Sequence, residues 1–402
     1  MIITAVDAFP LALPEITSAA DGTQDTLLVR VETDAGITGW GECDSSPLVC
    51  LAVYVCPTSH GNINNIRDSL LGETLETPDD VRRLNKKVRT RALDIEQINH
   101  AYSGADIALW DALGKHLGQP VWKLLGDEKA YPKLPYASVL FGDTPEETEQ
   151  IARELHLKGF RAAKFGWGPM GKFDEAFDVA LVKAAREGMG PDAEIMIDAG
   201  VCWGDDWETA YQRAVAFAPY SPTWLEEPLL PDAVGAFARL ATKKPPVPIA
   251  TGEGSNRVRA AEDLLENGNV DFIQIDVGRV GGITAARQVA ELAHAHGAKY
   301  VNHTFKSHLS IAASIAVFAG MEDCRYLEYP AAGSTLSQRL VSTPLVPDDE
   351  GFVYAPEAPG LGVEVNLSVV EEYLQPTRIE MAGKVLANVR SVEVNGPSAT
   401  LG

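Results

Sequence analysis

Three short runs decide the fold: TWLEEP at residues 223–228, PIATGE at 248–253 and VDFIQID at 270–276. Each is apolar and closes on, or next to, an acid. Five more segments of the same kind flank them: PYASVL (135–140), GFRAAKF (159–165), EIMIDAG (194–200), KYVNH (299–303) and RYLEYP (325–330). They recur at roughly the spacing of one strand–helix unit, with amphipathic helical patterns between them. Eight such units in a row predict a closed parallel (β/α) barrel of the TIM type over residues 129–354.

The residues that close these runs carry the chemistry. Lys164 ends its run, as do Asp198, Glu226, Glu253, Asp276, His303 and Glu328. A charged group is costly inside a core. At the C-terminal mouth of a parallel barrel it stands where catalytic groups are found. Asp198, Glu226 and Glu253 close three successive units, and three converging carboxylates repel one another unless a cation sits between them. Hard oxygen ligands with no Cys or His among them favour Mg²⁺. Strand alternation points Glu227 away from its neighbour Glu226, toward a supporting role. Arg279, just beyond Asp276, is placed to orient a carboxylate at the rim.

Ahead of the barrel the pattern changes. TLLVRVET (26–33), a turn at Asp34-Ala35-Gly36 and ITGWGE (37–42) read as an antiparallel pair. Residues 44–75, with Pro47 and Pro57, read as loop. Helical periodicity starts at Pro78, and the stretch from Ala101 closes on Gly118, a good helix C-cap. Residues 1–128 are therefore expected to form an α+β domain, a small antiparallel sheet with helices, which the tail 355–402 is expected to complete.

Composition narrows the function. The 402 residues carry a formal charge of −22 and are 46% hydrophobic. Such a chain buries a sizeable core and repels nucleic acid and anionic membranes. The start, MIITAVDAFPLALP, lacks a basic leader, and no apolar run is long enough to span a bilayer. Five cysteines without a CxxC (Cys43, Cys50, Cys56, Cys202, Cys324) suggest reduced thiols and a cytoplasmic protein. His116, His294 and His296 fall on helical patterns and read as surface, whereas His60 and His308 lie near loops or the mouth.

In order along the chain, GFRAAK, the Asp of EIMIDAG, WLEEP, ATGE, Asp276-Val-Gly-Arg-Val-Gly-Gly282, Asn302-His303 and YLE resemble the enolase superfamily, and within it the mandelate racemase subgroup. VRVETDAGITGWGE (29–42) and SGADIALWDALGKHLGQPVWKLLG (103–126) are similar to that family's capping domain, so the resemblance covers nearly the whole chain. It implies Asp198, Glu226 and Glu253 as Mg²⁺ ligands, a base dyad of His303 and Asp276, and Lys164 and Glu328 beside the substrate carboxylate. Asn302 and His60 complete the expected substrate contacts. The loops Thr17–Gln24 and Ser45–Asn65 are expected to set specificity, and a homo-oligomer is expected.

The subgroup's racemases carry Lys-x-Lys on the second strand. Here the motif is Lys164-Phe165-Gly166, and Gly166 cannot move a proton. Asp198 is followed by Gly200 where many relatives have Asn. The reading is thus a Mg²⁺-dependent acid-sugar dehydratase that removes the proton α to a carboxylate and expels the 3-hydroxyl, giving a 2-keto-3-deoxy acid. A racemase or epimerase of an α-hydroxy acid is the alternative. A Schiff-base barrel aldolase built on Lys164 is the alternative from another class.

Overall fold

The computed structural model describes residues 1–17 and 21–392. The chain opens with an antiparallel sheet in which β1 (Ile3–Ala12) pairs with β2 (Asp25–Thr33), and β2 with β3 (Thr38–Cys43). Helices α1 (Pro47–Val55), α2 (Ile66–Leu70), α3 (Pro78–Arg91), α4 (Ile98–Leu117) and the single turn α5 (Val121–Leu124) follow. The loop expected over 44–75 is thus partly helical. Its proline is compatible with helix because Pro47 sits in the first turn, where no backbone N–H is needed. The run PLVCLAVYV is apolar on every side, so it shows no amphipathic period.

Sheet and cap helices meet at very short range. A Cβ on Gly39 or Gly41 would lie 2.0 Å from the carbonyl oxygens of Ala108 and Gly104, so only glycine lets β3 lie on α4. Buried on nearly all sides, α4 also packs on the barrel. Asp106 accepts from the amide of Thr284, and the Trp110 indole donates to the Thr284 hydroxyl.

The barrel strands are β4 (Leu134–Leu140), β5 (Ala162–Gly166), β6 (Glu194–Asp198), β7 (Leu225–Glu226), β8 (Ile249–Thr251), β9 (Phe272–Asp276), β10 (Lys299–His303) and β11 (Tyr326–Pro330). They pair in parallel in one eight-stranded sheet, with β11 beside β4 and β10 at the other end of the ladder, a nearly closed barrel. All eight segments anticipated from the sequence are strands. The helices α6 (Pro145–Leu157), α7 (Glu175–Met189), α8 (Trp207–Phe217), α9 (Val234–Thr242), α10 (Val258–Asp263), α11 (Gly282–His296) and α12 (His308–Phe318) intervene. Tyr136, Met196, Trp224 and Val301 fill the barrel below the mouth, so the side chains at the strand ends rest on a packed floor.

The chain ends with α13 (Thr335–Arg339), α14 (Leu367–Tyr373) and the hairpin β12 (Thr377–Met381) with β13 (Lys384–Val389). This tail returns to the first sheet: Leu374 bridges to Leu11, and the Arg30 guanidinium donates to the carbonyl of Val392 at 3.0 Å. No helix of the described residues is long and apolar enough to cross a membrane. All five cysteines are unpaired.

Candidate active site

Parallel register brings Gly166, Asp198 and Glu226 to the same level of the sheet, and His303 beside Asp276. One oxygen from each of Asp198, Glu226 and Glu253 lies within 4.8 Å of the other two. Lys164 is buried among them. Its Nζ is 2.5 Å from Glu226 Oε1, 2.7 Å from Glu328 Oε1 and 3.8 Å from Asp198 Oδ2. Burial alone would depress its pKa, but Glu226 and Glu328 hold the ammonium charged, with a pKa well above the usual lysine value. Burial, then repulsion from Glu226, pushes the Asp198 carboxyl well up. Glu253 goes the other way, because His303 and Arg279 outweigh its burial.

A fourth acid belongs to this group. β7 ends at Glu226, and a left-handed φ of 40° at Glu227 breaks the alternation that would point its side chain away. The Glu227 carboxyl is buried, its pKa is pushed up by burial and then by Glu253 and Asp198, and its Oε1 has no hydrogen-bond partner. Clustered, mostly buried carboxylates with an orphaned oxygen suit a divalent cation. Asp198, Glu226 and Glu253 are the residues that would hold it, with Glu227 behind them.

Opposite the acids stands the histidine. His303 Nδ1 is 2.7 Å from Asp276 Oδ2, and its Nε2 is 3.3 Å from Glu253 Oε2. The other Asp276 oxygen accepts from the Gly278 amide at 2.7 Å. Burial and the nearby Asp44 push the Asp276 carboxyl up to about 6. Burial disfavours the imidazolium, yet Glu253, Glu328 and Asp276 raise the His303 pKa to about 10.

The capping domain reaches into this dyad. Asp44, just past β3, forms an ion pair with the Arg279 guanidinium at 2.9 Å, and its amide donates to the Gly278 carbonyl. Arg279 in turn reaches Glu253 at 3.3 Å. Lys306, three residues past His303, donates to the carbonyls of Gly22 and Asp25 at 2.6 and 2.8 Å and lies 3.2 Å from Asp44. Sequence reading passed over Asp44 and Lys306. Asp44 had a usable signal, since it closes a cap strand as the catalytic candidates close theirs.

Residues 2–126 match the family model of the mandelate racemase / muconate lactonizing enzyme N-terminal domain, and 146–369 match the enolase C-terminal domain-like model. The chain belongs to the enolase superfamily, in its mandelate racemase subgroup. It is 30% identical over 366 residues to a D-galactarolactone cycloisomerase of Agrobacterium fabrum, covering 87% of this chain and 91% of that protein. It is 29% identical over 383 residues to a D-xylonate dehydratase of Haloferax volcanii, covering 89% and 87%. A structure described as a predicted mandelate racemase from Rhodobacter sphaeroides superposes with a TM-score of 0.94 at 46% identity, covering 96% of this chain and 99% of that one. Homologues at about this level are thus acid-sugar dehydratases and cycloisomerases.

In this member of the subgroup, a cavity of about 520 Å³ opens above the acids and the histidine. Lys164, Asp198, Glu253, Arg279 and His303 line its floor. Three residues expected at the substrate lie elsewhere. His60 is on the cap surface with its Nδ1 3.1 Å from the Ser59 hydroxyl, and it does not line the cavity. Asn302 is fully buried. Its amide joins β10 to β11 through the backbone of Glu328 and the Thr304 hydroxyl. Alternation explains this, because in a five-residue strand ending on His303 the neighbour faces outward. Glu328 sits behind Lys164, with its second oxygen accepting from the Thr304 amide, and is not on the cavity wall. His308 is half-buried against Tyr329. Trp167, not singled out in the sequence, stands on the wall and donates its indole N–H to Asp198 at 3.2 Å.

Proposed function

We propose that this protein is a Mg²⁺-dependent dehydratase of an acid sugar. It would remove the proton α to the carboxylate and eliminate the 3-hydroxyl to give a 2-keto-3-deoxy acid. The observation that carries the reading is a single base on one wall. His303 is oriented by Asp276, with Nε2 toward the acids, while the racemase position on β5 is Gly166.

Asp198, Glu226 and Glu253 hold the cation in this reading, and a bound Mg²⁺ supplies positive charge to offset that which builds on the substrate's carboxylate oxygens as the α proton leaves. A Lys or His base working beside Mg²⁺ is an established property of the enolase superfamily, and membership brings that pairing with it. His303 Nε2 takes the C2 proton, while Asp276 keeps Nδ1 protonated and balances the imidazolium. The C3–O bond then breaks, and the same imidazolium returns its proton to the departing hydroxyl as water. The Lys164 ammonium lies at the carboxylate end and stays charged throughout. The cap, residues 1–128 with the returning tail, closes the site through Asp44 and the 21–25 loop.

Two rivals fare worse. A Schiff-base aldolase needs a lysine whose pKa is depressed so that the free amine is available. Lys164 is held protonated by two carboxylates. One-carbon racemisation needs a group on each face, and Gly166 supplies none. The test is a screen of acid sugars for 2-keto product in Mg²⁺ and in EDTA. Product should form in Mg²⁺ only. Full turnover in EDTA, or inversion of an α-hydroxy acid without elimination, would overturn the proposal.

A further inference from the structure

The upper wall of the cavity differs in kind from its floor. Above the acids it is built from Val139, Leu140, Trp167, Phe305, Pro330 and Ala332, contributed by the C-terminal ends of β4 and β11 and by the segments after β5, β10 and β11. Trp167 is held there with a left-handed φ of 53° and packs on Gly200, where a Cβ would come within 2.7 Å of its ring. So a side chain at position 200 would meet the indole, and the glycine is what admits it. The cap adds Asp21, Gly22 and Thr23. Thr23 engages Asp21 Oδ1 through its amide and hydroxyl at 2.8 and 2.7 Å, and Asp21 itself lines the cavity.

Cations are the informative group. Among the described residues the cavity is lined by three basic side chains, Lys164, Arg279 and His303. All three stand at the floor. Glu226 and Glu328 engage Lys164, and Asp44 and Glu253 engage Arg279. Lys306 lies close by, but its ammonium is taken up by the Gly22 and Asp25 carbonyls and by Asp44, and it does not line the cavity. The remaining residues, 18–20 and 393–402, contain no Lys, Arg or His. No cationic side chain of the lining therefore stands at the far end of a substrate to meet a second negative charge. A carboxylate placed there would be desolvated against apolar side chains and would face the Asp21 carboxylate.

We infer that the substrate is a monocarboxylate whose distal end is uncharged, an aldonic rather than an aldaric acid, with its carbon face against Trp167 and a distal hydroxyl donating to Asp21. This rests on the dehydratase reading for the identity of the reacting end. The discrimination itself is a property of the wall.

The experiment is calorimetric binding to the Mg²⁺-loaded protein of aldonic and aldaric acids matched in configuration, with turnover measured separately. The aldonate should bind at least about 30-fold more tightly, which is roughly 2 kcal/mol at 1.4 kcal/mol per tenfold. Leu140→Arg puts a cation on the wall. It should strengthen aldarate binding by about tenfold and so narrow or reverse the aldonate's advantage. Asp21→Asn, which removes the opposing charge, should narrow the gap even if Leu140→Arg does not fold. Aldarate binding equal to or tighter than that of its aldonate overturns the inference, as does failure of both to bind at millimolar concentration. Tight aldonate binding without dehydration would sustain the class assignment and overturn the dehydratase reading alone.

Discussion

In the proposed dehydration one residue, His303, is given two jobs by its neighbours. Its Nδ1 is fixed 2.7 Å from Asp276, so Nε2, 3.3 Å from Glu253, is the nitrogen turned toward the cavity floor. With one base, loss of the α proton and loss of the hydroxyl depend on the same side chain. His303→Asn should abolish both 2-keto product and exchange of the C2 proton with D₂O. Persistent exchange in that variant would reveal a second base and restore the racemase reading. Asp276 acts through the ring rather than on substrate. Its negative charge favours the imidazolium, so Asp276→Asn should lower the His303 pKa. The base must be neutral to work, so the acidic limb of the kcat/KM profile should move to lower pH. Turnover should also fall by about 10–100-fold, the usual cost of losing an orienting partner. An unchanged pH profile would remove Asp276 from the mechanism.

At the scale of elements, each barrel strand was legible because an apolar run that stops at a charge carries two signals at once, a buried body and a polar mouth. Asp198, Glu226, Glu253, Asp276 and His303 converge for that reason. What was not legible depends on contacts between distant segments. Nothing local reveals that Glu227 turns back into the acid cluster, because the deciding event is a single positive φ after a two-residue strand. Asn302 was misplaced for the converse reason, since a motif gives adjacency in sequence and alternation then separates adjacent residues. The helix α1 was missed because its uniform apolarity hides the period that identifies helices. The strand β4 offers a test of burial away from the chemistry. Lys133, just ahead of β4, is fully buried, bonds the Met321 carbonyl at 2.7 Å, and has its pKa depressed to about 8 by burial. Its folded pKa lies below the unfolded value, so the unfolded chain binds more protons between the two. Stability should rise as pH climbs from 8 through the unfolded lysine range, and the cost is fully present at neutral pH. Lys133→Met should therefore stabilise the protein at pH 7 by on the order of 1 kcal/mol after the lost hydrogen bond, with the gain shrinking toward pH 10. A destabilised variant at both pH values would show that the ammonium's bond to Met321 outweighs its desolvation.

For the whole molecule the governing fact is an excess of negative charge that concentrates, at one place, into four carboxylates, three of them buried. Lys164 and the charged His303 partly offset them, but the pKa values of Asp198 and Glu227 remain pushed upward, so the metal-free folded state holds protons that the unfolded chain releases near pH 4. These groups bind more protons folded than unfolded across that interval, and their contribution to stability is lost as pH rises. Mg²⁺ bound as proposed would reverse the trend, because it would bind the deprotonated carboxylates and compete with protons for them. A ligand that binds only the folded state at about 100 times its Kd adds about 2.7 kcal/mol. Saturating Mg²⁺ should thus raise the melting temperature by several degrees at pH 8, and by clearly less at pH 5.5, where protons already occupy part of the site. Asp198→Asn removes one ligand and should remove most of the Mg²⁺ shift while the metal-free protein melts no lower than wild type, because a repelling charge has gone with it. Melting curves with Mg²⁺ and with EDTA at the two pH values decide the matter. A shift that is absent, independent of pH, or preserved in Asp198→Asn would mean that the acid cluster is not the cation site and that its charge is balanced within the protein by Lys164 and His303.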